Sequence, residues 1–199
     1  MHEQLVCATL AVLFFLLRIQ SVHAQFVTNN VRSDATWRAI NPAPAAGWNT
    51  DVAFDDSDAA GWEFAFKSPS GDNIWLHSNL SGQAPNQAWF RHVFFLNASP
   101  TSAEGRFFFD DNGQAYINGT LVVNDTGGGA STFNLQLDPA LFHPGPNLVA
   151  VHGIDTSGPF NNIAVNMDIL TVPEPATTWL LACGGVLLWS WRAWRRTSN

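Results

Sequence analysis

A single carboxylate held between two prolines, Pro173-Glu174-Pro175, stands directly before an apolar run from Ala176 to Trp191. Arg192, Arg195 and Arg196 close the chain behind it. Proline fixes φ and pushes the residue before it into extended backbone. Glu174 is therefore presented on a straight segment that an enzyme can bind as an added strand. The apolar run can partition into a bilayer, and the arginines resist translocation and hold the chain end on the cytoplasmic side. Spanning takes about 20 apolar residues, and counting 176–194, with Arg192 snorkelling, reaches that length. The arrangement suits anchoring of the chain in a membrane behind a stiff, extended, singly charged segment.

Other residues offer binding chemistry. Asp110-Asp111 closes a strand-like stretch and opens a turn. Such a pair either binds a structural calcium ion together with backbone carbonyls or caps the turn by accepting backbone N–H groups. Asp55, Asp56 and Asp58 lack the spacing of a calcium loop and read as a solvated loop, with a divalent-cation site as the alternative. Trp48 and Trp75 lie near turns and are the candidates for a platform on which a sugar ring stacks, whereas Trp37 and Trp89 sit in strand-like contexts and read as core. His77, His92, His143 and His152 form no metal spacing, and no Gly-x-Ser-x-Gly elbow is present. Paired carboxylates for glycoside hydrolysis pair in space and leave no sequence signature. Most acidic residues fall in turns, so no catalytic residue is expected. Gly127-Gly128-Gly129 precedes no helix and is no phosphate loop.

The other end of the chain also directs traffic. Leu5 to Leu17 is an apolar run, and Val22-His23-Ala24 ends in small residues, so signal peptidase is expected to cut between Ala24 and Gln25. Three segments follow: a signal peptide at 1–24, a domain at 25–171, and a tail at 172–199. The middle segment has 147 residues, enough for one real core. Cys7 and Cys183 both lie outside it, so the exported domain has neither a disulfide nor a thiol nucleophile. Its 14 acidic residues face only Arg32, Arg38, Lys67, Arg91 and Arg106, a balance of −9. Such a surface repels nucleic acid and anionic polymers.

The elements that must position these groups read as strands. Phe133, Leu135 and Leu137 alternate with polar residues, as do Ile163, Val165, Met167 and Ile169. Ala88–Leu96 and Gly105–Asp110 are dense in aromatic and β-branched residues and read as strands buried on both faces. Asn118-Gly119 between apolar flanks predicts a two-residue type I′ hairpin. Pro139–Phe142 suits one helical turn, and Gly145-Pro146-Asn147 turns into the apolar strand Leu148–Val151. No amphipathic helix of useful length interrupts them, so the domain is expected to be an all-β sandwich.

The order Pro-Glu-Pro, apolar span, arginine cluster, chain end resembles the PEP-CTERM sorting signal of bacterial surface proteins. The resemblance covers 172–199. It implies that Pro173, Glu174, Pro175, Arg192, Arg195 and Arg196 are the working residues of the signal. It also implies that the chain is the substrate of an exosortase, a membrane-embedded cysteine protease or transpeptidase. A second series of landmarks runs through the domain. It comprises Trp48 before Phe54-Asp55-Asp56-Ser57, then Trp89–Phe94, Asp110-Asp111, Tyr116-Ile117-Asn118-Gly119 and Pro146–Val151. This series is similar to the galactose-binding-like jelly-roll domains attached to many bacterial glycosidases, over roughly 31–170. One departure is that Trp62 follows the Asp-Asp-Ser element only after Asp58-Ala59-Ala60-Gly61. The two resemblances imply a precursor anchored in the inner membrane that matures into a protein of the cell envelope or the extracellular space. Such a protein would be non-enzymatic and associated with extracellular polysaccharide. The alternatives are a carbohydrate-binding module with a specific sugar site and a secreted polysaccharide hydrolase. A fold of this kind does not by itself decide among them.

Overall fold

The structure, a computed structural model, describes residues 26–69, 71–75, 86–156 and 162–172. The signal peptide, the Pro-Glu-Pro segment and the expected span at 176–194 lie outside the described residues. Residues 26–172 form one compact unit. Among the described residues no helix is long and apolar enough to cross a membrane.

Twelve strands carry the fold: β1 (Val27–Arg32), β2 (Arg38–Ile40), β3 (Glu63–Phe64), β4 (Phe66–Lys67), β5 (Ile74–Trp75), β6 (Asn86–Leu96), β7 (Pro100–Phe109), β8 (Asn112–Ile117), β9 (Thr120–Asp125), β10 (Ser131–Leu137), β11 (Gly145–Asp155) and β12 (Asn162–Thr171). They form two six-stranded sheets. Sheet I runs β10-β7-β12-β5-β4, with β1 also paired to β12; sheet II runs β3-β2-β6-β11-β8-β9. Every pairing is antiparallel. The described residues are all-β, a β-sandwich.

Alternation decides inside from outside, because successive side chains on a strand point to opposite faces. On β12, Ile163, Val165, Met167 and Ile169 turn inward and are buried. On β7, Phe107 and Phe109 do the same, and from sheet II come Phe90, Ala115, Ile117, Val149 and Val151. These residues close one core between the sheets. Gly113 belongs to that packing: a Cβ there would lie 2.0 Å from the Phe109 ring, so only glycine admits it.

Two strands differ from the expectation of burial on both faces. On β7 only alternate residues are buried, and Arg106 and Glu104 stand exposed, because no described segment covers the outer face of sheet I. On β6, Trp89, Phe90 and Arg91 are all buried, but Val93 and Phe95 are 38% and 63% exposed. The outer face of sheet II is covered by the long connection 41–62, whose contacts on β6 reach Trp89 and Arg91.

The Asn118-Gly119 hairpin forms as expected, with φ of 47° and 84°. Asn118 also reaches out of its turn. Its Nδ2 donates to the Leu141 carbonyl and to Asn147 Oδ1, each at 2.8 Å, and its Oδ1 accepts from Leu148 N. Asn147 is fully buried and donates to the carbonyls of His143 and Gly145 while accepting from His143 N. Two landmarks far apart in the sequence are thus one amide lock. Between them, Pro139–Leu141 makes a one-turn 3-10 helix whose start Asp138 caps by accepting from Ala140 N at 2.9 Å.

Candidate functional site

Strand β12 ends at Thr171, and the described chain stops one residue later. Thr171 is buried, donates to the Val27 carbonyl and accepts from Asn29 Nδ2. The Pro173-Glu174-Pro175 segment therefore begins almost directly from a strand that is locked into its sheet.

The two tryptophans expected to offer a sugar platform sit on different sheets. Trp48 lies in the connection 41–62 and meets Tyr116 of sheet II edge-on, with ring centroids 5.9 Å apart. Beside it, Ile40, Trp62 and Trp89 form a second, smaller apolar cluster on the outer face of sheet II, joined by Phe54. Trp89 is stacked on His152 at 4.4 Å and 6°. His152 Nε2 faces Gln87 Oε1 at 3.1 Å, and burial pushes the imidazole pKa down. On the other sheet, Trp75 of β5 tilts against Phe66, and its Nε1 is buried with no hydrogen-bond partner among the described residues.

What holds the connection 41–62 in place is an arginine. Arg91 points outward from the middle of sheet II yet is only 1% exposed. Its guanidinium donates to the carbonyls of Asp51 and Phe54, pairs with the Asp56 carboxylate, and lies over the Phe54 ring. Arg38 does similar work with the carbonyls of Asp56 and Trp62 and the Asp58 carboxylate. The acidic run Asp55–Asp58 therefore differs from the solvated loop the spacing suggested. Two of its carboxylates meet guanidinium cations, which the sequence could not show because the partners are far away along the chain. Asp55 makes no ion pair among the described residues; its own bonds with Ser57 hold its pKa down.

Asp110 and Asp111 stand at the end of β7. Asp111 adopts a positive φ of 72° and is 5% exposed. Its Oδ2 accepts from Thr156 N and Oγ1 at 2.6 and 2.7 Å, and its Oδ1 accepts from Gly129 N. Asn112 and Asp125 catch the two preceding glycine N–H groups, Gly128 and Gly127. The triglycine loop is thereby tied down by three side chains. Asp110 accepts from Asn162 Nδ2, and its pKa is raised by burial and then by the negative charges of Asp155 and Asp111. The geometry is that of turn capping. Among the described residues no group of three or more histidine, cysteine or acidic side chains is placed to hold a metal ion.

The outer face of sheet I holds a site that the sequence reading passed over. Cross-strand register sets Asn134, Arg106, Asn166 and Arg32 in one row, and Gln136, Glu104, Asp168 and Asn30 in the next. Glu104, Arg106, Asn134, Gln136, Asn166 and Asp168 line a trough of about 350 Å³. A second trough of about 360 Å³ continues from it across Phe108, Thr132 and Ala164, with Arg106 and Asn166 common to both. Arg32 is held by Asp168 and the Met167 carbonyl. Arg106, in the same row, makes no hydrogen bond or ion pair among the described residues, and Asn166 Oδ1 is buried with no partner. The sequence signal was the polar positions alternating with Phe107, Leu135 and Val165, which looks the same on any solvated strand.

Residues 171–196 match a family model described as the PEP-CTERM protein-sorting motif. A motif of this kind marks an exported, membrane-anchored precursor that an exosortase processes. No curated protein matches the chain. Among solved structures it is similar to β-glucuronidase 2 of Bacteroides uniformis bound covalently to cyclophellitol-6-carboxylate aziridine. Identity there is 22% over 73% of this chain and 18% of that one, with a TM-score of 0.51. A further β-glucuronidase of Bacteroides uniformis shares 21% identity over 73% and 18%, with a TM-score of 0.48. A glycosyl hydrolase family 2 member from Bacteroides cellulosilyticus shares 17% over 69% and 20%, with a TM-score of 0.46. The chain spans about a fifth of the length of these enzymes. The likeness is one of fold.

Proposed function

We infer that this chain, with its sorting motif, matures into a non-enzymatic protein of the bacterial envelope or extracellular matrix, associated with extracellular polysaccharide. The observation that carries the reading is the match of 171–196 to the sorting motif, which makes the chain a substrate of processing. The domain is read as a galactose-binding-like jelly roll, supported by its two antiparallel sheets and by the fold likeness to part of a β-glucuronidase.

Two features support the non-enzymatic part. The carboxylates of Asp34, Asp51, Asp111, Asp125 and Asp138 accept from backbone N–H groups in turns. Those of Asp56, Asp58 and Asp168 face arginines. A carbohydrate-binding module with a defined sugar site is the second reading, and the polar trough on sheet I favours it.

The test of the leading reading is the mature C-terminus, read by mass spectrometry with and without the processing enzyme. Glu174→Ala is expected to leave membrane insertion intact, because insertion follows the apolar area of 176–191, and to stop maturation. Normal maturation of that variant would reduce Pro-Glu-Pro to a linker and remove the main support.

A further inference from the structure

We propose that the outer face of sheet I, centred on Arg106 and Asn166, binds a strand of uncharged polysaccharide. The proposal rests on the polysaccharide association inferred above and gives it a place. Three observations lead here. First, polar side chains are set side by side by the register: Asn134 and Gln136 on β10, Glu104 and Arg106 on β7, Asn166 and Asp168 on β12. Amides both donate and accept, arginine only donates, and ionised carboxylates only accept. Sugar hydroxyls do both, so a row of mixed donors and acceptors complements them all along a chain. Second, the face is left unsatisfied at its centre. Arg106 makes no ion pair among the described residues, although Glu104 stands two residues away on the same strand. An exposed guanidinium without a protein partner leaves its donors free for another molecule. Third, the charge fits an uncharged ligand. Arg32 is paired with Asp168 and Arg106 is offset by Glu104, so the trough is balanced within a domain of net charge −9. That overall charge disfavours acidic polymers. Two troughs that meet at Arg106 and Asn166 give the face the length to hold more than one sugar unit.

This site differs from a stacking platform. Its single aromatic is Phe108, half-buried in the second trough. Recognition would therefore run through hydrogen bonds, and Trp48 on the other sheet would be a bystander.

The experiment uses the full chain in detergent and measures binding to three neutral polymers (a β-1,3-glucan, a mannan and a galactan) and to polygalacturonate. At least one neutral polymer is expected to bind and polygalacturonate to bind more weakly. Arg106→Ala should weaken binding about tenfold or more, and Asn166→Ala should weaken it as well. Because Arg106 is exposed and unpaired, its variant should melt at the wild-type temperature, which separates lost binding from lost folding. Trp48→Ala should bind normally. If a neutral polymer binds but Arg106→Ala is unaffected, or Trp48→Ala is the variant that fails, this site is wrong and the association stands. If polygalacturonate binds best, the uncharged-ligand assignment is overturned. If no polymer binds, the site and the association both fall, while C-terminal processing is judged by its own assay.

Discussion

Asn147→Ala should be among the most damaging single substitutions in the domain, although the residue lies near the very start of β11. Its side chain makes four hydrogen bonds: to the His143 and Gly145 carbonyls at 2.7 and 3.1 Å, from His143 N at 3.1 Å, and from Asn118 Nδ2 at 2.8 Å. The residue is 0% exposed. Each bond contributes about 1 kcal/mol net, and removing one partner leaves the other group desolvated. The expected loss is about 3–4 kcal/mol. For a domain of this size each kcal/mol moves Tm by about 2–4 °C, so the transition should fall by roughly 10 °C. The assay is urea unfolding of residues 25–171 followed by tryptophan fluorescence, with the slope against denaturant unchanged. The same experiment on Asn118→Ala and on the double variant isolates the bond between the two amides. Their coupling should be about 1 kcal/mol. A loss below about 1 kcal/mol for Asn147→Ala, or strict additivity in the cycle, would refute the claim that the Asn118 hairpin and the start of β11 are locked together.

Three further outcomes follow from the charges. Asp56→Ala should cost about 3 kcal/mol because it leaves the guanidinium of buried Arg91 short of its counter-charge. Asp58→Ala should change stability by less than about 0.5 kcal/mol, since its carboxylate is 82% exposed; equal effects in chemical denaturation would contradict the difference. The pKa of Asp110 is raised in the fold, so its ionised form opposes folding above its ordinary 3.8 and that penalty is relieved as pH falls. Asp110→Asn keeps an acceptor for Asn162 and should raise Tm at pH 7 but not at pH 3; a lower Tm at pH 7 would show that the carboxylate is needed as a charge, as a bound cation would require. His92 and His152 have pKa values lowered by burial, so their contribution is full above the ordinary 6.5 and is lost as pH falls through their folded values. Melting temperature should decline below about pH 6.5, and His152→Gln should flatten part of that decline; a flat profile in the wild type would sink the assignment.

The residues that announced themselves were those whose neighbours along the chain are also their neighbours in space. Asn118-Gly119 made its hairpin because a two-residue turn is a local matter, and the alternation on β10 and β12 turned the expected side chains inward. What escaped was set by register and by long-range pairing. Arg91 and Asp56 face each other across the cover of sheet II, and nothing in Phe54-Asp55-Asp56-Ser57 says that its carboxylate will find a guanidinium. Arg106 and Asn166 are ordinary outward positions on two strands until pairing sets them in one row. Trp48 and Trp75 had equal standing as turn-proximal tryptophans, yet they belong to different sheets, because the order of strands in space differs from their order along the chain.

Strand β12 has a consequence in time. It is the last of the described strands to be made, yet it lies at the centre of sheet I, paired with β7, β5 and β1. Val27 at the start of the domain faces Thr171 at its end. Sheet I therefore cannot close until nearly the whole domain has been delivered, and contacts between such distant residues form slowly. During passage across a membrane the chain has no way to finish folding halfway through. The residue that completes the sheet is followed at once by the segment that is to be recognised for processing. The domain becomes able to fold only when that segment arrives, so maturation of the tail and completion of the fold are timed by the same stretch of chain.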